Sequence, residues 1–196
     1  MPDVKHFDPD AALRIAQRLF WRQGEASTGI QEVVTATGLS RSSLYATFGG
    51  KHDLYLAALR HYVEQWSVPA FHRLTTDDRG LPAIAEFYEA LIDVRCTGEF
   101  AHWGCMVTNA QAGPEGAAPD VRALLEDHHR LLRDTLRAAL TTARELGHLD
   151  DRVEPDEAAE LLALVAYGVN LRSRTGADPE ALRRTVATAL ARLNQP

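Results

Sequence analysis

GLSRSSLYATFGGKHDLY, which spans Gly38 to Tyr55, contains closely spaced signals for the start and end of a short helix. Its first glycine can adopt the left-handed backbone conformation that a tight turn between two helices requires. Ser40 can cap the short helix that follows the turn, and Leu44 and Phe48 lie on one edge of that helix, where they can be buried. Two glycines then end the helix. The stretch therefore predicts a turn, a short helix and a second break.

The segment before this turn, IQEVVTAT, predicts another short helix, with Thr28 placed to cap it. An earlier helix opens at Asp8 and Pro9, an N-cap followed by proline at the first helical position, and ends at Gly24. Two short helices joined by a glycine turn form a helix-turn-helix, whose second helix can enter the major groove of DNA. The same spacing also fits a plain helical hairpin with a polar face, so both interpretations are open.

The outward positions of the second short helix suit contacts with DNA. Arg41 can donate two hydrogen bonds to a guanine edge, and short hydroxyl side chains let the helix approach the bases. Tyr45 and Lys51 can bind phosphates, as can Thr28 and the free amides at the start of the preceding helix. The candidate DNA-binding residues are Thr28, Ser40, Arg41, Ser42, Ser43, Tyr45, Thr47 and Lys51.

Composition narrows the class of protein. Of the 196 residues, 45% are hydrophobic and 24% are charged, as in an ordinary globular protein. No apolar run is long enough to span a membrane. The N-terminal stretch has acids where a signal peptide needs positive charge, so we expect a cytoplasmic protein. Cys96 and Cys105 fit neither a disulfide framework nor a zinc-binding spacing.

The net charge of −6 is unevenly distributed. Residues 1–66 carry seven basic and seven acidic groups, so the excess of acid lies from residue 67 onward. The repulsion between DNA and acids in that part of the chain is largely screened where the two are farther apart than the Debye length, about 8 Å. Charge alone does not predict nucleic-acid binding, which depends on local contacts with phosphates.

Every long segment has helical periodicity, and no convincing alternating strand pattern is found, so the predicted fold class is all-α. Several helix starts are marked by an acid or small residue before proline. We expect a DNA-binding domain in residues 1–50 and a second helical domain in residues 51–196, with residues 51–74 as the connecting helix. That helix is predicted to reach about Arg73, and later helices are predicted near residues 81–95, 104–111, 119–145, 155–174 and 179–194.

The segment AALRIAQRLFWRQGEASTGIQEVVTATGLSRSSLYATFGGKHDLYLAAL resembles the DNA-binding domain of the TetR/AcrR family of transcriptional regulators. The resemblance rests on the A…LF…G first helix, the I…V…TGLS second helix and turn, the SSLYATF recognition helix, and K.DLY at the start of the fourth helix. It implies a homodimeric, ligand-responsive DNA-binding regulator, usually a repressor. It also implies an N-terminal three-helix helix-turn-helix domain and a C-terminal helical domain for ligand binding and dimerisation.

The resemblance also assigns roles to single residues. Ala46 stands where many members carry His or Tyr, which removes a contact and leaves the operator sequence open. Glu25 stands where many members carry an aromatic residue after the first helix. Arg41, Ser42, Ser43 and Thr47 are assigned contacts with bases or nearby phosphates. Thr28, Tyr45 and Lys51 are assigned contacts with other phosphates.

The last two helices carry apolar stripes, which the resemblance implies pair with those of a second chain. The same stripes can be buried within one chain, so both alternatives are open. A two-fold dimer would hold its recognition helices about 34–36 Å apart, which matches a palindromic operator. The stripes are Ala158, Leu162, Val165 and Val169, widened by Leu161 and Leu164, and Leu182, Val186, Leu190 and Leu193.

The helices between Pro82 and Glu145 are predicted to hold a pocket for a small apolar or amphipathic effector of unknown identity. Aromatic side chains with a few polar groups suit such a ligand, although fewer than half of the candidates are expected to touch it. The candidates are Trp66, Phe71, Phe87, Leu91, Trp103, Met106, Asn109 and His128.

Two other function classes are open to an all-α chain with these residues. An all-α enzyme has little support, because no nucleophile with its base, no phosphate loop and no metal motif can be assembled from the spacing. A thiol sensor of oxidants or electrophiles can use Cys105, with His102 as the neighbour that would activate it. His128 and His129 point about 100° apart on a helix, so no metal site is predicted there. We predict neither catalytic activity nor a cofactor.

Overall fold

The computed structural model describes residues 7–194, and every regular element in that range is helical, which confirms the all-α fold. Residues 1–6 of the first predicted domain and residues 195–196 of the second lie outside the described residues. The elements are α1 (Pro9–Gln23), α2 (Ile30–Thr37), α3 (Arg41–Phe48), α4 (Lys51–Tyr62), a π-helical turn (Val63–Ser67), α5 (Val68–Thr75), α6 (Leu81–Cys96), α7 (Met106–Ala112), a 3₁₀ turn (Pro114–Ala117), α8 (Pro119–Glu145), α9 (Pro155–Arg174) and α10 (Pro179–Ala191).

The long C-terminal helices begin where proline follows a capping position. The bounds of α8 and α9 agree with the prediction, because Pro119 and Pro155 occupy the first helical position, where a missing N–H costs nothing. Asp178 caps α10 by accepting bonds from the amides of residues 180 and 181. None of the helices in residues 7–194 is long and apolar enough to cross a membrane.

The connecting helix contains a π-helical turn, Val63–Ser67, that the sequence pattern did not predict. Pro69 follows it at the second position of α5. Proline has no N–H for the carbonyl four residues earlier, that of Gln65, and its ring crowds that carbonyl. A wider turn accommodates this defect, so the helical backbone runs on from Lys51 to Thr75.

Two hydrophobic clusters hold the chain together. The C-terminal core joins α5, α6, α8, α9 and α10 around side chains such as Ile84 and Leu136. The N-terminal core surrounds Phe20, Trp21 and Tyr55, and it includes Met106 of α7 together with residues at the start of α8. The N-terminal core therefore crosses the predicted domain boundary.

The predicted dimer stripes are mostly internal. Ala158, Leu162, Val169, Leu182, Val186 and Leu193 are buried in the C-terminal core, with Val165 and Leu190 packed against it, so the stripes serve the single chain. The two residues predicted to widen the α9 stripe, Leu161 and Leu164, instead lie on an apolar face that stays exposed. Leu161, Leu164 and Leu171 are 49%, 56% and 46% exposed, and they recur at helical spacing.

Candidate nucleic-acid interface and ligand cavity

The turn between α2 and α3 has the predicted geometry. Gly38 adopts the left-handed conformation, with φ 70° and ψ 10°, and its N–H donates to the carbonyl of Val34. Ser40 is the N-cap of α3, and its Oγ accepts a bond of 3.1 Å from the amide of Ser43. Leu44 is 1% exposed and fixes the inner face of α3 against the N-terminal core. The cap and the buried leucine together set which face of α3 points outward.

The outward face of α3 carries most of the predicted DNA-binding residues. Arg41, Ser42 and Thr47 are exposed, whereas Ser43 and Tyr45 are half-buried. The guanidinium carbon of Arg41 lies 5.1 Å from the ring centroid of Tyr45, one helical turn later, so the arginine is held over the ring. The Thr47 hydroxyl donates to the carbonyl of Ser43 at 3.0 Å. This face therefore presents a guanidinium and short hydroxyls, the groups that read base edges.

Two predicted phosphate contacts have other partners in the structure. Thr28 is fully buried, and its hydroxyl donates to the carbonyl of Gly24 at 2.7 Å, so the prediction that it caps α2 is wrong. Gly29 is the N-cap instead. Lys51 is half-buried, and its Nζ donates to the carbonyls of Glu25 and Thr28 at 2.9 and 3.2 Å. Thr28 and Lys51 thus fix the α1–α2 loop. The Thr28 hydroxyl is withdrawn from the surface, whereas the Lys51 ammonium has a third N–H, so its contact with phosphate stays a prediction.

Carboxylates tie that loop to the rest of the chain. Glu25 accepts from Nδ1 of His52 at 3.1 Å, and the other ring nitrogen of His52 contacts Asp120. Hydrogen bonds to Asp120 and Glu25 raise the pKa of His52 above its ordinary value. Glu115, which is buried, accepts from the amide of Ala26 at 3.1 Å. The helix-turn-helix is therefore bonded to both the 3₁₀ turn and α8.

An aromatic cluster joins α1 to the segment around the predicted pocket. The Trp21 ring lies 4.9–5.4 Å, centroid to centroid, from the rings of Tyr62, Trp66, Phe100 and Trp103. Its indole N–H donates to the carbonyl of Gly104 at 3.0 Å. Trp66 therefore contacts the first helix of the DNA-binding region directly.

Beside the aromatic cluster lies a buried polar group that the sequence interpretation missed. Arg95 is 6% exposed; its Nε donates to Oδ1 of Asn170 at 2.6 Å and its Nη2 to the Tyr62 hydroxyl at 2.9 Å. The Cys105 thiol also interacts with Arg95 and Tyr62. A signal was present in the sequence: Arg95 stands three residues after Ile92 on the apolar stripe of α6, where a charge is unusual.

A cavity of about 320 Å³ lies between α6 and the π-helical turn with α5. Three of the eight predicted pocket residues line it, namely Trp66, Phe87 and Leu91, and Arg95 lines it as well. The other predicted residues are dispersed. Met106 and Asn109 line a second cavity of about 300 Å³, and His128 lines a third near α4.

Phe71 and Trp103 line none of these cavities. Phe71 is a buried core residue whose ring lies 5.4 Å from that of His128, and Trp103 belongs to the aromatic cluster. His128 is itself buried, and its Nε2 lies 3.0 Å from the Ser67 hydroxyl. Burial lowers the pKa of His128 to about 4, so the ring is neutral near pH 7.

Cys105 is 4% exposed and has a different neighbourhood from the one predicted. His102, predicted to activate it, has a left-handed backbone with φ 63°, and its Nδ1 lies 3.1 Å from the carbonyl of Ser173. The charged neighbour of the thiol is Arg95. Within residues 7–194, no group of three or more metal-ligating side chains comes together.

Two family models match this chain. The one described as "Tetracyclin repressor-like, C-terminal domain" matches residues 80–189, more than half of the sequence, and the one described as "Bacterial regulatory proteins, tetR family" matches residues 12–58. The chain belongs to the TetR family. The resemblance seen in the N-terminal motifs is confirmed, and the match extends through the C-terminal helices.

Named relatives of this TetR-family chain include repressors. The HTH-type transcriptional repressor ComR of Escherichia coli is 28% identical over 187 residues, covering 95% of this chain and 89% of that protein. The HTH-type transcriptional repressor BdcR of the same species is 27% identical over 190 residues, covering 94% and 88%.

Solved structures share the fold. A cysteine mutant of the TetR family transcriptional regulator CifR, complexed with 26bp double-strand operator DNA, is 27% identical, with a TM-score of 0.83 and coverage of 95% of this chain and 97% of that one. The reduced form of E. coli NemR is 22% identical, with a TM-score of 0.79 and coverage of 95% and 98%. The second likeness is one of fold alone.

Proposed function

We propose that this TetR-family chain is a ligand-responsive transcriptional repressor that binds a palindromic operator as a homodimer. The observation that carries the proposal is the outward face of α3, where Arg41, Ser42 and Thr47 are exposed above a buried Leu44. The repressors ComR and BdcR, and CifR with its operator DNA, support the same function. Such a regulator acts where the chromosome is, so we assign it to the cytoplasm, with no catalytic activity of its own.

Residues 1–50 would bind DNA and residues 51–196 would bind the effector and the second chain, with residues 51–74 as the connecting helix. The exposed face of α9, formed by Leu161, Leu164 and Leu171, is suited to the dimer contact because it is apolar and about half of each side chain is exposed. Gly168 lies on the same helix with open space where its Cβ would be, which allows close approach of a partner helix. The last two helices of each chain would then meet across a two-fold axis.

The route from effector to DNA runs through the aromatic cluster. A ligand in the 320 Å³ cavity touches Trp66, and Trp66 contacts Trp21 of α1. A ligand that binds more tightly to a state in which the two α3 helices are wrongly spaced lowers operator affinity by that difference in free energy.

The test is to select bound sequences from random DNA with the full-length chain, and then to measure affinity for the selected site. We expect a palindrome whose half-sites lie one helical turn apart. Arg41→Ala and Thr47→Ala should weaken binding, whereas Arg130→Ala, an exposed arginine on α8, serves as the matched control and should not. Recovery of random sequence, or equal affinity in all three variants, would exclude this surface.

A second candidate function, a thiol-based response, is favoured by the position of Cys105 beside Arg95 and Tyr62. Cysteine sulfur is the side-chain atom that reacts most readily with electrophiles. With N-ethylmaleimide as probe, the sulfur adds to one alkene carbon and a proton adds to the other. We expect modification to release DNA from the native protein and to leave a Cys105→Ser variant bound; release from both would attribute the effect to Cys96 or to another group.

A further inference from the structure

Within residues 7–194, the buried guanidinium of Arg95 has no carboxylate among its hydrogen-bond partners. The side chain is 6% exposed and lies on the inner face of α6. Its partners are the amide oxygen of Asn170, the hydroxyl of Tyr62 and the thiol of Cys105, none of which is a carboxylate. Burying a charge is costly unless an opposite charge or a full set of hydrogen bonds compensates for it. The surroundings of Arg95 therefore favour an added anion.

The hydrogen bonds of Arg95 are also incomplete. Its Nη1 is buried and has no hydrogen-bond partner in the part of the chain that the structure describes. A guanidinium has five N–H donors in a planar fork that matches the two oxygens of a carboxylate. A buried donor without a partner costs about as much as a lost hydrogen bond, so a ligand that supplies an acceptor gains that energy.

Arg95 lines the same cavity as three apolar side chains. Trp66, Phe87 and Leu91 form its apolar lining, and the volume of about 320 Å³ suits a small molecule. Two acids, Asp77 and Glu86, also line the cavity, but both accept hydrogen bonds from the guanidinium of Arg79 outside it. One guanidinium therefore serves both acids. Among the described residues that line the cavity, Arg95 is a buried cation with no carboxylate among its hydrogen-bond partners, whereas Arg73 is exposed.

We infer that the effector is a small amphipathic carboxylate, whose carboxylate binds Arg95 and whose aromatic or aliphatic body fills the space beside Trp66, Phe87 and Leu91. The name effector rests on the proposed function, whereas binding of the carboxylate to this cavity does not require DNA. The ligand would contact Trp66 and Arg95 together, and both pack against Trp21 of α1. The anion site and the DNA-binding region thus share one aromatic cluster.

The first experiment uses the full-length native protein without DNA. Hexanoate, decanoate, phenylacetate and naphthylacetate are titrated by calorimetry and by tryptophan fluorescence, each beside its neutral primary amide. We expect at least one acid to bind, and to bind at least about tenfold more tightly than its amide, because only the acid forms charge-assisted bonds with the guanidinium. Equal affinity within every pair, or no acid bound at millimolar concentration, overturns the inference.

The second experiment uses variants to assign the preference to Arg95. Arg95→Gln keeps hydrogen-bonding capacity but removes the charge, and it should abolish the acid-over-amide preference. Arg73→Gln removes an exposed charge from the same cavity and should retain it. Leu91→Trp should fill the cavity and abolish binding of both members of a pair. If Arg95→Gln does not fold, the acid and amide affinities of the native protein and the Leu91→Trp variant test the inference. Binding that the added indole does not affect would place the ligand outside this cavity.

The experiments distinguish failure of the carboxylate inference from failure of the proposed function. A protein that holds its selected operator but shows no preference for acids is a repressor with another effector class. A protein that prefers acids through Arg95 but selects no DNA sequence retains the ligand site and loses the regulatory role. Release of operator DNA by the bound acid, and not by its amide, would support both.

Discussion

Nε2 of His52 lies 2.9 Å from Oδ2 of Asp120, a contact that joins the first turn of α4 to the first turn of α8. The other ring nitrogen contacts Glu25 in the α1–α2 loop, so one imidazole links three segments. Both carboxylates stabilise the protonated ring. The link between the DNA-binding region and α8 therefore depends on pH.

Replacing Asp120 with Asn should make the protein less stable mainly at mildly acidic pH. The hydrogen bonds to Asp120 and Glu25 raise the pKa of His52. A raised pKa in the folded state adds stability that is fully present below the unfolded value of about 6.5 and is lost as pH rises through the folded pKa. The effect is modest, since the imidazole is 39% exposed and screened by solvent.

The measurement for Asp120→Asn is the urea midpoint of variant and native protein from about pH 5.5 to about pH 8.5. The difference between the two urea midpoints should become smaller as pH rises. A constant difference should remain at high pH, because the variant also lacks a negative charge at the N-terminus of α8. In a His52→Gln background the gap should be constant throughout. A gap that widens with pH would contradict the assigned role of His52.

His128 should make the protein sensitive to acid. Its pKa is lowered to about 4, first by burial and then by the charges of His129 and Arg95. The unfolded chain takes up the proton near pH 6.5, so the stability that the neutral ring contributes is present above that pH and is lost as pH falls toward 4. The loss is about 3 kcal/mol at most.

His128→Gln, which keeps a polar partner for Ser67, should flatten the fall in unfolding free energy between about pH 6.5 and about pH 4. Urea unfolding at several pH values measures it. His129→Gln is the matched control, because His129 is half-buried and paired with Glu160, and it should leave most of the acid sensitivity in place. An unchanged slope in His128→Gln would assign the acid sensitivity to other groups.

Arg41→Ala should relax sequence preference at one position of each half-site and cost about 1–3 kcal/mol of operator binding. Tyr45→Phe keeps the ring under the Arg41 guanidinium but removes the hydroxyl, so it should weaken binding evenly across sequences. Fluorescence anisotropy with the selected site and its single-base variants separates the two patterns. Identical effects on every site variant would mean that Arg41 contacts only the backbone.

Lys51→Met should destabilise the fold as well as weaken DNA binding. Its ammonium ties the carbonyls of Glu25 and Thr28 to the start of α4, and losing charged hydrogen bonds of this kind costs about 1.5–3 kcal/mol. Thermal unfolding and operator affinity are measured on the same variant. Reduced affinity with unchanged stability would instead favour the direct phosphate contact predicted from the sequence.

Leu164→Glu should convert the dimer to monomers and abolish operator binding at concentrations where the native protein is dimeric. A charge in the apolar face of α9 would be buried without a partner in the dimer contact. Leu146→Glu is the matched control, since Leu146 at the end of α8 is 50% exposed, close to the 56% of Leu164. Light scattering after size-exclusion chromatography gives the mass of each variant. If Leu164→Glu is still a dimer, the dimer contact lies on another surface.

Local signals in the sequence were sufficient for the helices but not for the cavity. The bounds of α8 and α9 follow from Pro119 and Pro155, and the turn at Gly38 follows from its left-handed backbone. Such features depend on residues a few positions apart. The π-helical turn before Pro69 was not predicted, because a proline inside a helical pattern can be accommodated by a kink, a break or a wider turn, and local propensity does not choose among them.

The site depends on contacts between residues far apart in sequence. Arg95 meets Asn170 across 75 positions, and Trp21 meets Gly104 across 83. Periodicity identifies apolar residues that will be buried, but it does not say which of them line a space rather than fill one. Phe71 and Trp103 were therefore predicted as pocket residues, although Phe71 is buried in the C-terminal core and Trp103 packs against the N-terminal core.

The N-terminal core limits how such regulators can be recombined. Trp21 and Phe20 of α1 are each 1% exposed, and Met106 and Val121 from beyond the predicted boundary are part of their cover. A fragment that ends at residue 50 would leave that indole and phenyl ring facing water, and we expect it to aggregate. Moving this DNA-binding region onto another sensor domain would require α4 and the cover from residues 97–125 to move with it, so its operator preference is tied to a core that the two predicted domains share.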